Sequence, residues 1–279
     1  MARQIVEGYR VGEHRSPFHG FAIEFAQHRE YTPGDDTRHL DWKVLGRSER
    51  HYIKQYEQDT NYVAHLVIDG SASMNYASGS VSKLLYAKAL AACLAHIILG
   101  QRDAVALALV DAEVREYLTR TDSLPRLQHI MDRLAAFRAT GGTRLGTALQ
   151  ALTERVKRRG IVILISDLFD DEDTLFEALQ LHRFSGNEIV VFHTLDPYEL
   201  TFPFDGTWKF HNLEDSGEEL QIAPEDIRKA YLHHFNEYRE RLKAGFQKLN
   251  AHYVLADTSK SLAETLSGYL AFRQMTGRK

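Results

Sequence analysis

Asp69, Ser71, Ser73, Thr143 and Asp167 are the residues of this chain whose types and spacing suit chemistry, and that chemistry is the binding of a divalent cation. Three of them form the string Asp69-Gly-Ser71-Ala-Ser73; Thr143 closes Gly141-Gly-Thr143, and Asp167 closes Ile-Ser-Asp167. The set is two carboxylates and three hydroxyls, with no thiolate and no necessary imidazole. Oxygen-only ligands suit a hard ion, Mg2+ with Mn2+ and Ca2+ as alternatives, rather than zinc. Mg2+ takes six oxygens at about 2.1 Å, so five side chains leave a position for water or for a carboxylate brought by a partner. Neutral hydroxyls donate weakly, and an ion held by two carboxylates stays electron-poor.

The elements around these residues explain how they could meet. Tyr62 to Asp69 and Ile161 to Ser166 are nearly continuous apolar runs, as expected of strands buried on both faces. A parallel sheet gathers the C-terminal ends of its strands on one edge, where residues a hundred positions apart can share one ion. A sharp turn leaving the first strand would converge Asp69, Ser71 and Ser73, and the two glycines before Thr143 permit close backbone approach. The string alone is a weak signal, which chance gives in roughly several per cent of chains this long; its place after a buried strand, with the distant members also at loop apices, gives it weight. As local structure alone, the five would be turn and capping residues.

Other segments complete a strand–helix alternation. Ser82 to Gly100 reads as a helix so rich in Ala and Leu that little of it can face water. Ala104 to Asp111 is a strand, with Glu113 to Thr119 an antiparallel companion at the edge. Helices are expected from Ser123 to Phe137, from Gly146 to Arg159, after the acidic cluster Asp170 to Asp173, from Pro224 to about Asn250 and from Leu262 to Phe272. Glu188 to Leu195 and Tyr253 to Ala256 are further strands. The fold class expected is α/β, a mainly parallel central sheet with helices on both faces. An inserted β-hairpin is expected near residues 205–222. Residues 1–60 form a separate segment, too poor in apolar residues for its own core and expected to pack on a main domain of residues 61–279.

Composition narrows the function classes. The 279 residues carry 34 Lys and Arg against 38 Asp and Glu, a net charge of −4, which favours neither nucleic acid nor an anionic membrane surface. Lys157-Arg158-Arg159 reads as the basic end of a helix. The single cysteine, Cys93, lies in an apolar helix and reads as a core residue rather than a nucleophile. No apolar run approaches the ~20 residues of a bilayer span, and no signal-peptide core opens the chain, so the cytoplasm is the expected compartment. His65 reads as a core histidine; His233-His234 are adjacent on a helix and do not make a zinc pair. Neither a nucleophile elbow nor a phosphate-binding loop occurs in the sequence.

Asp69-x-Ser71-x-Ser73-Met74, Gly-Gly-Thr143-x-Leu-Gly-x-Ala-Leu149 and Ser-Asp167 together resemble the metal-ion-dependent adhesion site of von Willebrand factor A domains. Arg29-Glu-Tyr-x-Pro33-Gly34-Asp35-Asp36-x-Arg38-x-Leu-Asp41-Trp42 resembles bacterial proteins of domain-of-unknown-function family 58, in which an A-type domain follows such a segment. The resemblance covers nearly the whole chain and matches all five metal positions. It implies a von Willebrand factor A, Rossmann-like fold and a Mg2+-dependent protein-binding module, commonly working with a MoxR-type AAA+ ATPase. As pure chemistry, the charges from Asp35 to Lys43 form a turn with ion pairs that could dock the N-terminal segment. Arg144, beside Thr143, could meet an acidic partner or simply start a helix in solvent; Met74 is the second candidate for partner contact.

The leading expectation is therefore a non-enzymatic adaptor whose metal takes a Glu or Asp of a partner protein. An alternative is a metal-dependent hydrolase with Asp167 or Asp69 as base. A scaffold with a vestigial metal site is the third reading.

Overall fold

The computed structural model describes residues 23–32, 41, 44, 52–58, 63–101, 103–140, 142, 144–156, 159–211, 213 and 219–267. Thr143, Lys157, Arg158, most of the Pro33-to-Trp42 string and the last part of the expected closing helix lie outside them. The chain divides into two compact units, Gly12–Tyr62 and a larger one formed by Met1–Val11 with Val63–Lys279. In the smaller unit β1 (Ile23–Glu30) pairs antiparallel with β2 (Tyr52–Gln58), with a register shift between Phe25 and Gln27. Asp41 is buried there; its backbone N–H donates to Tyr52 O and its carboxylate accepts from Val44 N–H at 3.3 Å.

The larger unit is built on a six-stranded sheet. Its strands are β3 (Val63–Asp69), β4 (Ala104–Val110), β5 (Val114–Thr121), β6 (Gly160–Ser166), β7 (Glu188–Leu195) and, after a hairpin and a long helix, β10 (His252–Asp257). The order across the sheet is β10-β7-β6-β3-β4-β5, all parallel except β5, which runs antiparallel at the edge as its sequence predicts. Every residue of β3, β4 and β6 is buried, which is why these strands read as unbroken apolar runs. Strand order reverses at β3, whose neighbours are β4 on one side and β6 on the other. The crevice beyond the C-terminal ends of β3 and β6 is therefore the topological switch point of the sheet, where ligand sites of open α/β folds lie.

Helices cover both faces. On one, α1 (Lys83–Gly100) lies against β3, β4, β6 and β7 and contacts α2 (Leu127–Ala136). On the other, α3 (Leu145–Thr153), α4 (Glu172–Phe184) and a 25-residue helix, α6 (Pro224–Lys248), enclose Val67, Leu149, Leu164, Leu179, Val191 and Phe246. The short α5 (Pro197–Thr201) follows β7, and β8 (Trp208–His211) pairs with β9 (Glu219–Ile222) in the expected hairpin. Among the described residues α1 alone has the length and composition to cross a membrane. Its buried face, from Leu84 through Leu90 and Leu94 to Leu99, packs on the sheet as a core helix, and Cys93 is part of that packing.

One helix is shorter than its sequence predicts. α3 ends at Thr153 rather than continuing to Arg159, because Arg155 and Val156 both donate to Leu152 O and close it, letting the chain enter β6 at Gly160. Arg159 is thus outside the helix, and the dipole account of the basic run does not hold for it. The acidic cluster does cap the next helix: the Asp171 carboxylate accepts from Thr174 N–H and from its hydroxyl, at 2.9 and 2.6 Å. The close approach of α3 to α4 depends on Gly146, where a Cβ would lie 2.7 Å from the Thr174 carbonyl carbon. Gly146→Ala is expected to lower stability by about 1–3 kcal/mol, measured by urea unfolding, since backbone on both sides must shift.

Candidate metal centre

Asp69 ends β3 at the switch point, almost fully buried. Its two carboxylate oxygens are both engaged: Ser71 N–H donates to Oδ1 at 2.8 Å and the Ser166 hydroxyl donates to Oδ2 at 2.6 Å. The first bond is the local turn that a short carboxylate makes with the amide two residues on. That turn brings the hydroxyls of Ser71 and Ser73 to 3.1 Å of each other, so the alternating string does converge its polar atoms. A Cβ at Gly70 would sit 2.2 Å from the Phe137 ring, which explains the glycine between Asp69 and Ser71.

Asp167 follows β6 and is fully buried. The chain then turns through Leu168, whose φ of 61° is the left-handed region that non-glycine residues adopt at a cost of roughly 1–2 kcal/mol. Leu168 N–H donates to Ser166 Oγ at 2.8 Å and the Tyr238 hydroxyl donates to Leu168 O, holding the turn from both sides. Ser166 thereby links the two carboxylate-bearing strand ends, one hydroxyl serving Asp69 and the loop beyond Asp167.

The residue that sequence reasoning passed over is Lys83. It begins α1, it is the largest fully buried side chain of the described residues, and its Nζ lies 2.7 Å from Asp167 Oδ2 and 2.6 Å from Glu199 Oε1. The Phe169 ring, with its centroid 5.1 Å from Nζ, covers the ammonium. Glu199 is itself fixed by a capping box, accepting the Asp196 N–H at 2.8 Å, while Asp196 accepts Ser78 N–H at 2.9 Å. A signal for Lys83 existed: a cation in the first turn of a helix opposes the dipole, and this one starts a helix rich in Ala and Leu.

Electrostatics follow from burial. Desolvation first, then the nearby charge of Asp167, push the Asp69 carboxyl up from 3.8 to about 7, against the opposing hydrogen bonds of Ser166 and Ser71. Burial pulls Lys83 down, but Asp167 and Glu199 outweigh it and keep the ammonium charged. His193 is buried and held down to about 4 by desolvation, so its ring is neutral at pH 7. Its Nε2 stands 2.9 Å from Asp167 O and its Nδ1 2.7 Å from the Tyr253 hydroxyl. A carbonyl only accepts, so Nε2 carries the proton and the Tyr253 hydroxyl donates to Nδ1.

Four of the five sequence-predicted residues, Asp69, Ser71, Ser73 and Asp167, come together at this edge. Thr143 lies outside the described residues; among those near it in sequence, Thr140 N–H donates to Gly70 O, and Gly146 N–H to Asp170 Oδ2 at 2.8 Å. Arg144 is exposed at the N-terminus of α3. Met74 is 0% exposed and belongs to the core, so it offers no surface to a partner.

The oxygen-only set fits a hard cation. With every group ionised, Asp69, Asp167, Glu199 and Lys83 sum to two negative charges in a nearly dry cluster, which one dication would balance. Burial first and the charge of Asp167 second raise the Asp69 carboxyl, so part of that shift reflects the excess. Among the described residues no group of three His, Cys, Asp or Glu is placed to hold a metal, so an ion here would depend on the serine hydroxyls as well.

A mainly parallel α/β sheet with a carboxylate–hydroxyl cluster at its switch point defines the class of the protein. Residues 27–241 match the family described as "Protein of unknown function DUF58", and the chain belongs to that family. It is 29% identical over 241 residues to the uncharacterized protein Rv1480 of Mycobacterium tuberculosis and to Mb1516 of Mycobacterium bovis, covering 83% of this chain and 75% of each relative. Among solved structures it is similar to the conserved hypothetical protein BatB from Bacteroides thetaiotaomicron, at 17% identity and a TM-score of 0.48 over 77% of this chain and 98% of that one. It is similar also to an aerotolerance-related membrane protein from Bacteroides fragilis, at 20% identity and a TM-score of 0.48 over 74% and 97%.

Proposed function

We propose that the chain is a non-enzymatic, Mg2+-dependent protein-interaction module of the von Willebrand factor A type. In this reading Asp69, Ser71, Ser73, Thr143 and Asp167 hold the ion, directly or through water, and the ion presents an open position to an acidic side chain of a partner. The observation that carries it is the convergence of Asp69, Ser71, Ser73 and Asp167 at the switch point, with the Asp69 carboxyl raised by burial and by Asp167. Docking is favoured over hydrolysis because neither carboxylate is placed as a general base. Asp167 is held by Lys83, and Asp69 is held by Ser71 and Ser166. The ion would supply positive charge at the C-terminal edge of the sheet; the chain's own residues set its position and limit its ligands. A MoxR-type AAA+ ATPase, the partner that the family resemblance implies, is the partner we propose, with this chain as adaptor in the assembly or remodelling of a client.

The direct test is calorimetric titration of Mg2+ into the wild type and Asp69→Ala. Wild type is expected to bind and the variant to lose affinity at least about tenfold, the loss of one charged ligand. Equal affinities in the two proteins would remove the metal reading. Capture of a MoxR-type ATPase by the wild type, lost on chelation and in Asp69→Ala, would carry the adaptor role.

A further inference from the structure

Every carboxylate oxygen of Asp69 and Asp167 already accepts a hydrogen bond, but the four bonds are not equivalent. Asp69 Oδ1 and Oδ2 accept from the Ser71 amide and the Ser166 hydroxyl, and Asp167 Oδ1 from the Phe169 amide at 3.4 Å, all neutral donors. Asp167 Oδ2 alone faces a full positive charge, the Lys83 ammonium at 2.7 Å. Lys83 cannot swing away easily, because Glu199 holds it at 2.6 Å and the Tyr76 and Phe169 rings lie over it at 5.9 and 5.1 Å.

The two common hard cations use carboxylates differently. Ca2+ takes six to eight oxygens and often draws on both oxygens of one carboxylate, whereas Mg2+ keeps a strict octahedron of single oxygens and waters. A cation that grasped Asp167 through both oxygens would share one of them with a fixed ammonium and meet like-charge repulsion in a poorly screened interior. A cation content with Oδ1 alone meets less of it.

We propose that Lys83 is the specificity-determining residue of this edge, blocking bidentate use of Asp167 and so favouring Mg2+ over Ca2+. The inference rests on the metal-docking reading above. It also explains why a lysine is buried where an apolar residue would continue the helix face.

The test is calorimetric titration of Mg2+ and of Ca2+, separately, into the wild type, Lys83→Met and the double variant Lys83→Met/Glu199→Gln, with folding verified by thermal unfolding. The double variant removes one positive and one negative charge, so the formal charge of the cluster stays the same and any change in ion preference comes from the freed oxygen. It also removes the unpaired Glu199 carboxylate that would strain the single variant. Wild type is expected to bind Mg2+ about tenfold or more tightly than Ca2+, and the variants to shift that ratio about tenfold toward Ca2+. A wild type that binds Ca2+ as well as Mg2+, or a ratio unchanged in the folded double variant, overturns the role of Lys83. If Asp69→Ala abolishes Mg2+ binding while the ratio stays fixed in the Lys83 variants, the docking reading stands and only this inference falls. If the wild type binds neither ion, both fall together.

Discussion

Lys83→Met is expected to destabilise the fold by about 3–5 kcal/mol, measured as the loss in urea-unfolding free energy at pH 7 with chelator present. The size comes from what remains after the lysine is gone. Asp167 is fully buried and Glu199 nearly so, and both would be left without a cation. A buried ion pair adds little net stability over apolar residues of the same shape, because desolvating both charges offsets their attraction; removing one partner leaves the whole desolvation cost of the other. The same reasoning gives a control. Lys83→Met/Glu199→Gln should recover a substantial part of the loss, since one of the two orphaned charges is gone and the amide can still accept the Asp196 N–H. A single-variant loss below about 1 kcal/mol would show that water reaches the triad and that its charges are solvated.

The second large effect is a pH dependence located on Asp69. The carboxyl has its ordinary 3.8 in the unfolded chain and about 7 in the folded one, so between those values the folded state holds a proton that the unfolded state has released. Stability from this group is complete below pH 4 and is lost as pH rises through 7, a change on the order of 4 kcal/mol. Asp69→Asn removes the titration; its one carbonyl oxygen can still accept the Ser71 N–H, while its amide nitrogen would donate to the Ser166 hydroxyl in place of accepting from it. The difference in unfolding free energy between wild type and Asp69→Asn, in chelator, is therefore expected to favour the variant increasingly from pH 4 to pH 7 and to level off above. Taking the difference cancels His193, which is held down to about 4 and so works in the opposite sense below pH 6.5 in both proteins. Parallel curves for the two proteins would mean that Asp69 ionises as an ordinary carboxylate.

The sheet was legible because its signals are local and redundant. β3, β4 and β6 are buried along their full length, and burial on both faces leaves only apolar residues in the sequence. The edge strand β5 is half-buried to exposed along its whole length, unlike the buried strands beside it, and the hairpin β8–β9 showed itself by two short runs around a turn signal. The end of α3 was not legible, since the apolar spacing continues to Val156, itself buried, although the helix has already closed. At the site, the Asp–Ser–Ser turn was legible because its geometry is made within five residues. Lys83 was not: its partners stand 84 and 116 positions away, and only the folded sheet and α5 bring them to it. Met74 misled for the related reason that adjacency to a site in sequence says nothing about which way a side chain faces.

The neutral ring of His193 gives this edge a built-in reporter. Its Nε2 proton is spent on the carbonyl of Asp167, behind a side chain that solvent does not reach, and Tyr253 fixes the opposite nitrogen. An imidazole proton so enclosed exchanges slowly with water and should give a resolved resonance far downfield in an NMR spectrum. Movement of the Asp167 backbone, by an ion or by a docked protein, would stretch that one hydrogen bond and shift that one line. Events at the C-terminal edge of the sheet can thus be followed from its interior, without a label on the docking surface.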